Sequence, residues 1–479
     1  MALSQIQEFY KNQTVFITGS TGLLGKLVLR KLLTTCEPKK IYLLIRQHKE
    51  KSAEERLEIL LERADLRRDK SEFKGKIFVI EGDCSVPGLG ISHDDRETLV
   101  NETTCIIHIA AIVKFSEHLR LAAYVNVRAV QDLLHLAKQV RDLKAMVHVS
   151  TAYSNCNQKD LIKEQFYEPG MTATKLLKML ESTDDETITN TTPELLGSWP
   201  NTYTFTKAVA ENVIKTEAQD LPVCIVRPAI LMGAFQEPEP GWLDAIQGIT
   251  GFLIGAFLGL IHCLLGDTKP INLIPSDYTA NLTLAAACYA TEKSSPLPIY
   301  NYTGSEKNQL TKAKFYEHGE LTAKLYTSAH VVNVCFVIFT TNKYYLKFLR
   351  FWLHLVPAYI VDLVCLCLGK KRRFVKMYQK IHKICDELAY FSANSWKFET
   401  ANCDKLWKSL KEKDRELFPF NMENLAWRSF LESCVIYSRI HLLKDPMHTV
   451  PQAQRKRKFI AFVYYCMAFA LVSVLWHLF

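Results

Sequence analysis

Short apolar runs alternate with longer amphipathic stretches over the first 230 residues. Most of these runs are apolar at nearly every position, as expected for strands buried on both faces of a sheet. The stretches between them predict helices, among them Lys26–Leu33, Ser52–Leu66 and Tyr124–Val140. Strands that alternate with helices indicate βαβ units, and therefore a parallel sheet covered by helices on both faces. The predicted strands are Thr14–Thr18, Lys40–Ile45, Lys76–Ile80, Thr104–Ile109, Ala145–Val149 and Val223–Val226.

The last 21 residues (459–479) form an apolar run without Asp, Glu, Lys or Arg. As a helix this run would be about 32 Å long, which matches the roughly 30 Å hydrocarbon core of a bilayer. Trp476 and the pair Tyr464–Tyr465 lie toward its two ends, where membrane helices favour aromatic residues. Because basic flanks stay cytosolic, RKRK at 455–458 predicts a tail anchor with residues 1–458 in the cytosol. A buried core helix is the alternative.

The formal charge of +9 is concentrated in two clusters, KKRR at 370–373 and RKRK at 455–458. The rest of the chain is nearly neutral, which argues against a nucleic-acid partner and favours an anionic membrane surface. A hydrophobic share of 48% excludes a disordered chain. The 14 cysteines include no CxxC pair and no zinc spacing, and residues 1–13 hold no secretory signal. We therefore expect reduced thiols and no metal site.

The segment TGSTGLLG follows the first predicted strand and opens the first predicted helix. Its glycines are three residues apart, a variant of the dinucleotide-binding fingerprint. Small residues let the backbone approach a pyrophosphate, and the helix that follows points its positive end at that charge. The residues predicted to bind a dinucleotide are Thr18, Gly19, Ser20, Thr21, Gly22, Leu23, Leu24 and Gly25.

Arg46 follows the second predicted strand, with Lys49 and Lys51 close behind. Folds selective for NAD carry an Asp or Glu near this point, whereas a guanidinium suits a 2′-phosphate. The sequence therefore favours NADPH over NADH, with a solvated basic loop as the alternative. Asp83, after the third predicted strand, is expected either to accept from the adenine amine or to cap a turn.

Tyr203 and Lys207 are four residues apart and would share one face of a helix. A lysine there can place its charge near a phenol and lower the pKa of the tyrosine toward working pH. Ser150 and Thr151 end the predicted strand AMVHV, at the carboxyl edge of the sheet where such folds bind ligands. We expect a hydroxyl there, Thr151 in preference to Ser150, to polarise a carbonyl beside Tyr203. Capping of a turn is the structural alternative.

Together TGSTGLLG, HIAAIVKF, VSTAYSN and YTFTK resemble an extended short-chain dehydrogenase/reductase, specifically the fatty acyl-CoA reductases. The resemblance implies an α/β fold with a Rossmann-type doubly wound parallel sheet and substrate-binding additions over residues 1–340. It further implies a helical C-terminal domain over 341–454, then a basic flank and transmembrane tail anchor over 455–479. Further similar segments are IYLLIRQHKEKSAEERL, VRPAILMGAFQEPEPGWLD, INLIPSDYTANL, HLVPAYIVDLVCLCLG, FSANSWKFETANCDKLW and IYSRIHLLKD.

The same resemblance implies NADPH-dependent reduction of a long-chain fatty acyl-CoA to a fatty alcohol, through an aldehyde, at a membrane surface. Tyr203, Lys207 and Thr151 would be catalytic, and Ala110 in HIAAIVKF would border the cofactor. Tyr203 and Thr151 would stabilise the oxyanion formed from the thioester, and Tyr203 would protonate the alcohol. Lys207 would hold the nicotinamide ribose. The implied partners are the acyl-CoA and the lipid bilayer, of the endoplasmic reticulum or the peroxisome.

Two segments depart from the family pattern, CNQKDLIKEQFYEP at 156–169 and YTGSEKNQLT at 302–311. Two other functions stay open. The first is another membrane-bound dehydrogenase of this fold, acting on a sterol or sugar nucleotide, against which the family-like late segments argue. The second is a membrane scaffold with a decayed nucleotide site, against which the intact glycines and the Tyr203/Lys207 pair argue.

Three internal stretches, 251–266, 330–339 and 351–368, are also apolar. In the first, Gly251, Gly255 and Gly259 are four apart and would form one smooth stripe on a helix. That stripe predicts either tight packing in the core, or an acyl-chain wall or surface that dips into the membrane. Because KKRR follows the third stretch, we expect an amphipathic patch that faces a membrane. A buried helix with a solvated basic end is the alternative.

Overall fold

The computed structural model describes residues 2–63, 73, 75–246, 248–290 and 296–478, and of residues 465 and 467–478 only the backbone. The chain divides into two compact units, each assembled from separated segments. The boundaries predicted at 340/341 and 454/455 stay a prediction. Unit 1 comprises Met1–Leu231, Leu273–Ser305 and Trp396–Glu423, and unit 2 comprises Met232–Asn272, Glu306–Ser395 and Asn424–Phe479.

The described part of unit 1 contains a seven-stranded sheet in which every neighbouring pair is parallel. The strand order is β7-β6-β5-β4-β1-β2-β3, so it reverses direction between β1 and β4. Such a reversal opens a crevice at the carboxyl ends of the strands, where doubly wound folds bind ligands. The strands are β1 (Thr14–Thr18), β2 (Lys40–Ile45), β3 (Ile77–Glu81), β4 (Cys105–His108), β5 (Ala145–Val149), β6 (Val223–Pro228) and β7 (Ile299–Tyr302).

Helices connect these strands and bury their apolar faces against the sheet. Tyr124–Arg128 is a single π turn that leads into the helix Ala129–Ala137. Ile230–Met232 and Leu273–Pro275 form a separate two-stranded sheet. The described α-helices of unit 1 are Gln5–Tyr10, Leu23–Thr35, Ala53–Arg63, His93–Glu102, Leu119–Ala123, Ala129–Ala137, Ala173–Ser182, Asp185–Leu196, Thr202–Glu217, Ser276–Tyr289, Ala401–Ser409 and Glu412–Leu417.

The predicted α/β fold with a parallel sheet is confirmed. β1, β2 and β5 have the predicted bounds, and the other three predicted strands differ by one or two residues at an end. The helix predicted over Lys26–Leu33 begins at Leu23, three residues before its predicted start, because the glycine loop already turns into the helix. The predicted helix Ser52–Leu66 is observed over Ala53–Arg63, and its last three residues lie outside the described residues.

Unit 2 is mainly helical in the part that the structure describes. Its short strands Cys263–Leu265 and Ile338–Thr340 pair in parallel. The segment Lys343–Cys367 is one continuous helix with a π turn at Phe351–Leu355. The described α-helices of unit 2 are Gly248–Phe257, Lys312–Leu325, Lys343–Arg350, Val356–Cys367, Phe374–Glu387, Ala389–Ala393, Trp427–Tyr437 and Val450–Leu478.

The predicted glycine stripe over 251–266 is wrong. The helix ends at Phe257, and Gly259 lies in the turn beyond it with a φ of +70°. A Cβ at Gly259 would lie 2.2 Å from the carbonyl oxygen of Asn333, so close backbone approach explains this glycine. The stretch therefore folds as a short helix, a turn and the strand Cys263–Leu265.

The tail is helical over Val450–Leu478. The side chains that would test the predicted anchor over 459–479 lie largely outside the described residues, and the anchor stays a prediction. Within the described residues, one other helix, Lys343–Cys367, is long and apolar enough to cross a membrane.

Candidate active site

The glycine loop after β1 uses its three glycines in different ways. Gly19 has a φ of +77°, and a Cβ there would lie 2.5 Å from the amide nitrogen of Ala110. A Cβ at Gly25 would lie 2.2 Å from the carbonyl oxygen of Gly19, so the helix packs directly on the loop. Gly22 is exposed, and its nearest neighbour would be 3.4 Å away. Gly22 therefore leaves open space over the loop where a ligand can approach the backbone.

The start of the helix Leu23–Thr35 is open to an anion. Its N-cap is Gly22, without a side-chain cap and without an acidic residue in the first turn. The hydroxyl of Ser20 is fully buried and has no hydrogen-bond partner among the described residues. Unpaired amides at a helix N-terminus and an unpaired hydroxyl suit a pyrophosphate, so the loop fits a dinucleotide. Thr21 and Leu23 are half-buried beside Gly22, while Leu24 is buried in the core.

Thr18 joins the two strands between which the strand order reverses. Its hydroxyl lies 2.6 Å from Nδ1 of His108 at the end of β4, and it accepts from the amide of Ala110 at 3.3 Å. Thr18 is fully buried, so it shapes the floor of the crevice and offers no free hydroxyl. Ala110 is partly exposed and borders the loop at Gly19, where it was predicted to meet the cofactor.

Arg46 and Asp83 meet beyond the ends of β2 and β3. Arg46 Nη1 lies 3.3 Å from Asp83 Oδ2, and the other carboxylate oxygen accepts from the Ser85 amide at 2.8 Å. Burial alone would raise the pKa of Asp83, but the hydrogen bonds from Ser85 and the charge of Arg46 lower it. Asp83 therefore caps a turn, as the alternative prediction held, and also forms an ion pair with Arg46.

A second guanidinium, which the sequence did not single out, lies beside Arg46. Arg56 donates from Nη1 to the carbonyl oxygen of Arg46. Burial lowers the pKa of Arg56, and the charge of Arg46 lowers it further. Two neighbouring cations that repel each other form a site that a phosphate would stabilise. Arg56 lies in the predicted helix Ser52–Leu66 and in the family-like segment IYLLIRQHKEKSAEERL, but neither signal pointed to its contact with Arg46.

The Tyr203 phenol and the Thr151 hydroxyl are neighbours, close enough for Thr151 to affect the pKa of Tyr203. Tyr203 lies in the first turn of the helix Thr202–Glu217, and Thr151 follows β5. Phe115 stacks on the Tyr203 ring with centroids 5.9 Å apart. Thr151 also accepts from the Tyr153 amide at 3.2 Å, so the hydroxyl both caps a turn and faces Tyr203. Ser150, in contrast, donates its hydroxyl to the Glu211 carboxylate.

The predicted lowering of the Tyr203 pKa by Lys207 is wrong. Burial raises the pKa of Tyr203 to about 12, and the neighbouring Thr151 hydroxyl opposes that rise only in part. Lys207 is 1% exposed, and its Nζ donates to the carbonyl oxygen of Val149 at 2.8 Å. Burial lowers the pKa of Lys207 to about 8, against the opposing charge of Glu211. The phenol is therefore held protonated, which suits a proton donor.

Two polar groups that the sequence did not single out support this site. Glu211, two turns beyond Tyr203, accepts from Ser150, Ser154 and Arg227. Asn126, in the π turn, donates to Thr206 at 2.9 Å and accepts from the Ile112 amide at 2.9 Å. Both tie the helix that carries Tyr203 to neighbouring segments. No local motif marks them, because their partners are 14 to 80 residues away in the chain.

Two models of the male sterility protein family match the chain, an NAD-binding model over residues 17–283 and a second over 353–445. "Fatty acyl-CoA reductase wat" of Drosophila melanogaster is 36% identical over 96% of this chain and 90% of its own length. "Fatty acyl-CoA reductase 1" of Rattus norvegicus is 34% identical over 99% of this chain and 93% of its own length. The chain belongs to the fatty acyl-CoA reductase family.

Solved structures support the fold of this reductase. The terminal R domain of the myxalamid PKS-NRPS pathway superposes with a TM-score of 0.60 at 17% identity, covering 91% of this chain and 93% of that one. The reductase domain of a nonribosomal peptide synthetase from Mycobacterium tuberculosis reaches 0.58 at 15% identity, covering 92% and 95%. At these identities the likeness concerns the fold alone.

Proposed function

We propose that this reductase converts a long-chain fatty acyl-CoA to the primary alcohol with NADPH as hydride donor. The observation that carries the proposal is that the buried Tyr203 phenol and the Thr151 hydroxyl are neighbours at the carboxyl edge of β5, one helical turn from Lys207. The substrate class rests on relatives named fatty acyl-CoA reductases, which align with nearly the whole chain.

A first NADPH, when bound, would supply one hydride to the thioester carbon, and CoA would leave as the thiolate when the carbonyl re-forms. A second NADPH, bound in place of the NADP⁺, would supply one hydride to the aldehyde that remains. After each transfer the substrate oxygen is negative, and the Tyr203 and Thr151 hydroxyls would donate to it. Because burial raises the pKa of Tyr203 to about 12, the phenol stays protonated at neutral pH and can protonate the final alkoxide. Lys207 would hold the nicotinamide ribose with its ammonium group.

The preference for NADPH over NADH would come from Arg46 and Arg56. Their guanidinium groups adjoin beyond β2, and Asp83 neutralises only one charge of the two. The 2′-phosphate of NADPH would complete the charge balance, whereas the free ribose hydroxyl of NADH would leave the repulsion in place. Asp83 would then be free to accept from the adenine amine.

The tail would anchor the reductase to a membrane of the endoplasmic reticulum or the peroxisome, with the catalytic part cytosolic. The helix Val450–Leu478 contains the uncharged run 459–479 up to its last residue, preceded by four basic residues at 455–458. A helix of this composition and length suits a bilayer core.

The deciding experiment is incubation of the purified full chain with NADPH and acyl-CoAs of increasing length, with aldehyde and alcohol measured by gas chromatography. Alcohol is the expected product. Tyr203→Phe should lower turnover about 100-fold or more, because it removes the proton donor. The control is Tyr289→Phe, whose hydroxyl makes only long contacts, to Gln5 at 3.5 Å and to Ser409 at 3.4 Å. Full turnover by Tyr203→Phe, or NADPH binding without any product from the native chain, contradicts the proposal.

A further inference from the structure

The helix Lys343–Cys367 in unit 2 presents an extended apolar face to solvent. Twelve large apolar side chains between positions 344 and 368 are each more than a third exposed, and Leu363 is 61% exposed. Soluble proteins rarely leave so continuous an apolar surface uncovered. The exposed residues include Phe348, Trp352, Ile360, Leu363, Leu366 and Leu368.

The buried side of the same helix carries two polar groups, His354 and Asp362, beside apolar residues. The buried positions are Leu346, Leu349, His354, Ala358 and Asp362. They recur every three to five residues, and the five-residue step falls at the π turn Phe351–Leu355, which adds one residue and keeps the stripe on one face. The helix therefore has apolar residues on both sides, whereas a surface helix normally turns a polar or charged face to solvent.

Polar contacts hold this helix against the next one, Phe374–Glu387. Asp362 accepts from the amides of Arg373, Phe374 and Val375 at 2.9, 3.0 and 3.0 Å, and so caps that helix. Nearer the other end, His354 Nδ1 lies 2.9 Å from His382 Nε2, and Arg350 pairs with Asp386 at 2.8 Å. The partners run in opposite directions along the chain, so the two helices form an antiparallel hairpin.

These contacts oppose a membrane-spanning orientation. To cross a bilayer, the helix would have to leave its partner and carry Asp362 into hydrocarbon, where a carboxylate costs about 3 kcal/mol or more. Lying flat, the helix keeps every polar contact and buries only its outward face.

The charge around the hairpin matches an anionic surface. Residues 343–387 hold ten Lys and Arg against three Asp and Glu, a net +7 of the chain's +9. Lys370–Arg373 are exposed in the turn of the hairpin. Lys376, Lys380 and Lys383 are exposed at helical spacing on the following helix, opposite its buried residues.

We propose that the outward face of Lys343–Cys367 lies in the plane of a bilayer, at the level of the head groups, with the surrounding lysines and arginines on anionic phospholipids. Anionic lipid attracts basic residues near the surface by about 1 kcal/mol each, and an exposed apolar helix face supplies the insertion energy. The proposal deepens the membrane association proposed above, and gives the reductase a second contact besides its tail.

Depth-dependent quenching of Trp352 in full-length reductase in anionic vesicles tests this orientation. Lipids brominated near the glycerol backbone are compared with lipids brominated near the chain end, and subtraction of Trp352→Phe isolates this tryptophan from the others. A flat helix predicts stronger quenching by the shallow bromines. A spanning helix would place Trp352 about 14 Å from the helix start, near the bilayer centre. Stronger quenching by deep bromines, or no quenching, overturns the proposal.

Paired variants test the two forces separately. Lys370→Gln/Lys371→Gln should lose Trp352 quenching in anionic vesicles, while Lys408→Gln/Lys411→Gln, at exposed lysines of unit 1, should keep it. Leu363→Glu should also lose the quenching, and Leu121→Glu, at an exposed leucine of unit 1, should not. Quenching retained by both hairpin variants overturns the proposal. Acyl-CoA reduction in detergent is measured in parallel. Loss of reduction there would count against the proposed function, whereas loss of Trp352 quenching alone concerns only the membrane contact of this helix.

Discussion

Arg227 and Glu211 form an ion pair that solvent does not reach. Arg227 Nη2 lies 2.6 Å from Glu211 Oε2 and Nε lies 3.0 Å from Oε1, and the two side chains are 0% and 2% exposed. The same carboxylate accepts from Ser150 and Ser154, which flank the loop that holds Thr151. One buried carboxylate therefore joins β6, the Tyr203 helix and the loop after β5.

Glu211→Gln should be strongly destabilising. The change leaves the Arg227 guanidinium buried without a counter-charge, which costs about 3–5 kcal/mol in the free energy of unfolding. Urea denaturation of the detergent-solubilised chain measures the loss. Asp142→Asn, which removes an exposed 2.6 Å pair with Lys144, is the control and should cost less than about 1 kcal/mol. Equal losses for the two variants would show that the buried pair contributes no more than a surface pair.

The pH dependence of kcat/KM should show the titration of Lys207. Burial lowers the pKa of this lysine to about 8, so its ammonium form is present below that pH and is lost as pH rises through it. If the charge holds the ribose, kcat/KM for NADPH falls on the alkaline side with an apparent pKa near 8. Lys207→Arg should lose this falling limb, because a guanidinium stays charged. A limb that is unchanged in Lys207→Arg would belong to another group.

Gly22→Ala and Gly25→Ala should fail in different ways. A Cβ at Gly25 would lie 2.2 Å from a backbone oxygen and 2.7 Å from the Cα of Ser20, so the loop and helix must separate. Gly25→Ala should therefore melt at a lower temperature even without NADPH. Gly22 has a φ of −82° and open space, so Gly22→Ala should keep its melting temperature but lose the stabilisation by NADPH. Thermal melts with and without NADPH separate the two, and equal destabilisation of both apo proteins would refute the distinction.

Arg46→Ala should lower the preference for NADPH. Loss of one charge-assisted contact to the 2′-phosphate predicts about a 10- to 100-fold lower kcat/KM with NADPH and little change with NADH. Lys51→Ala is the control, since Lys51 is exposed in the loop beyond Arg46. Equal losses of kcat/KM with NADPH for the two variants would contradict a specific contact of Arg46. They would support the alternative that the loop is a solvated basic segment acting through its overall charge.

The sequence predicted most of the sheet because strands buried on both faces must be apolar along their whole length. β7 was missed because it is short and holds the polar Asn301, which is buried against the carbonyls of Ile162 and Glu399. The glycine loop was equally predictable, since a side chain at Gly19 or Gly25 would clash with nearby backbone atoms. Tyr203 and Lys207 could be named as a pair because helical spacing is local.

Relations between distant segments needed the tertiary structure. Packing decided that Thr151 faces Tyr203 while Ser150 faces Glu211, which adjacent residues of similar chemistry cannot reveal in a sequence. Packing also set the pKa of Tyr203 above its usual value, because burial outweighs the opposing effect of the Thr151 hydroxyl. The apolar run 351–368 and its basic neighbours were visible as composition. Which face of the helix is buried depends on Asp362 and the amides of the following helix, and therefore on contacts that form only when the chain has folded.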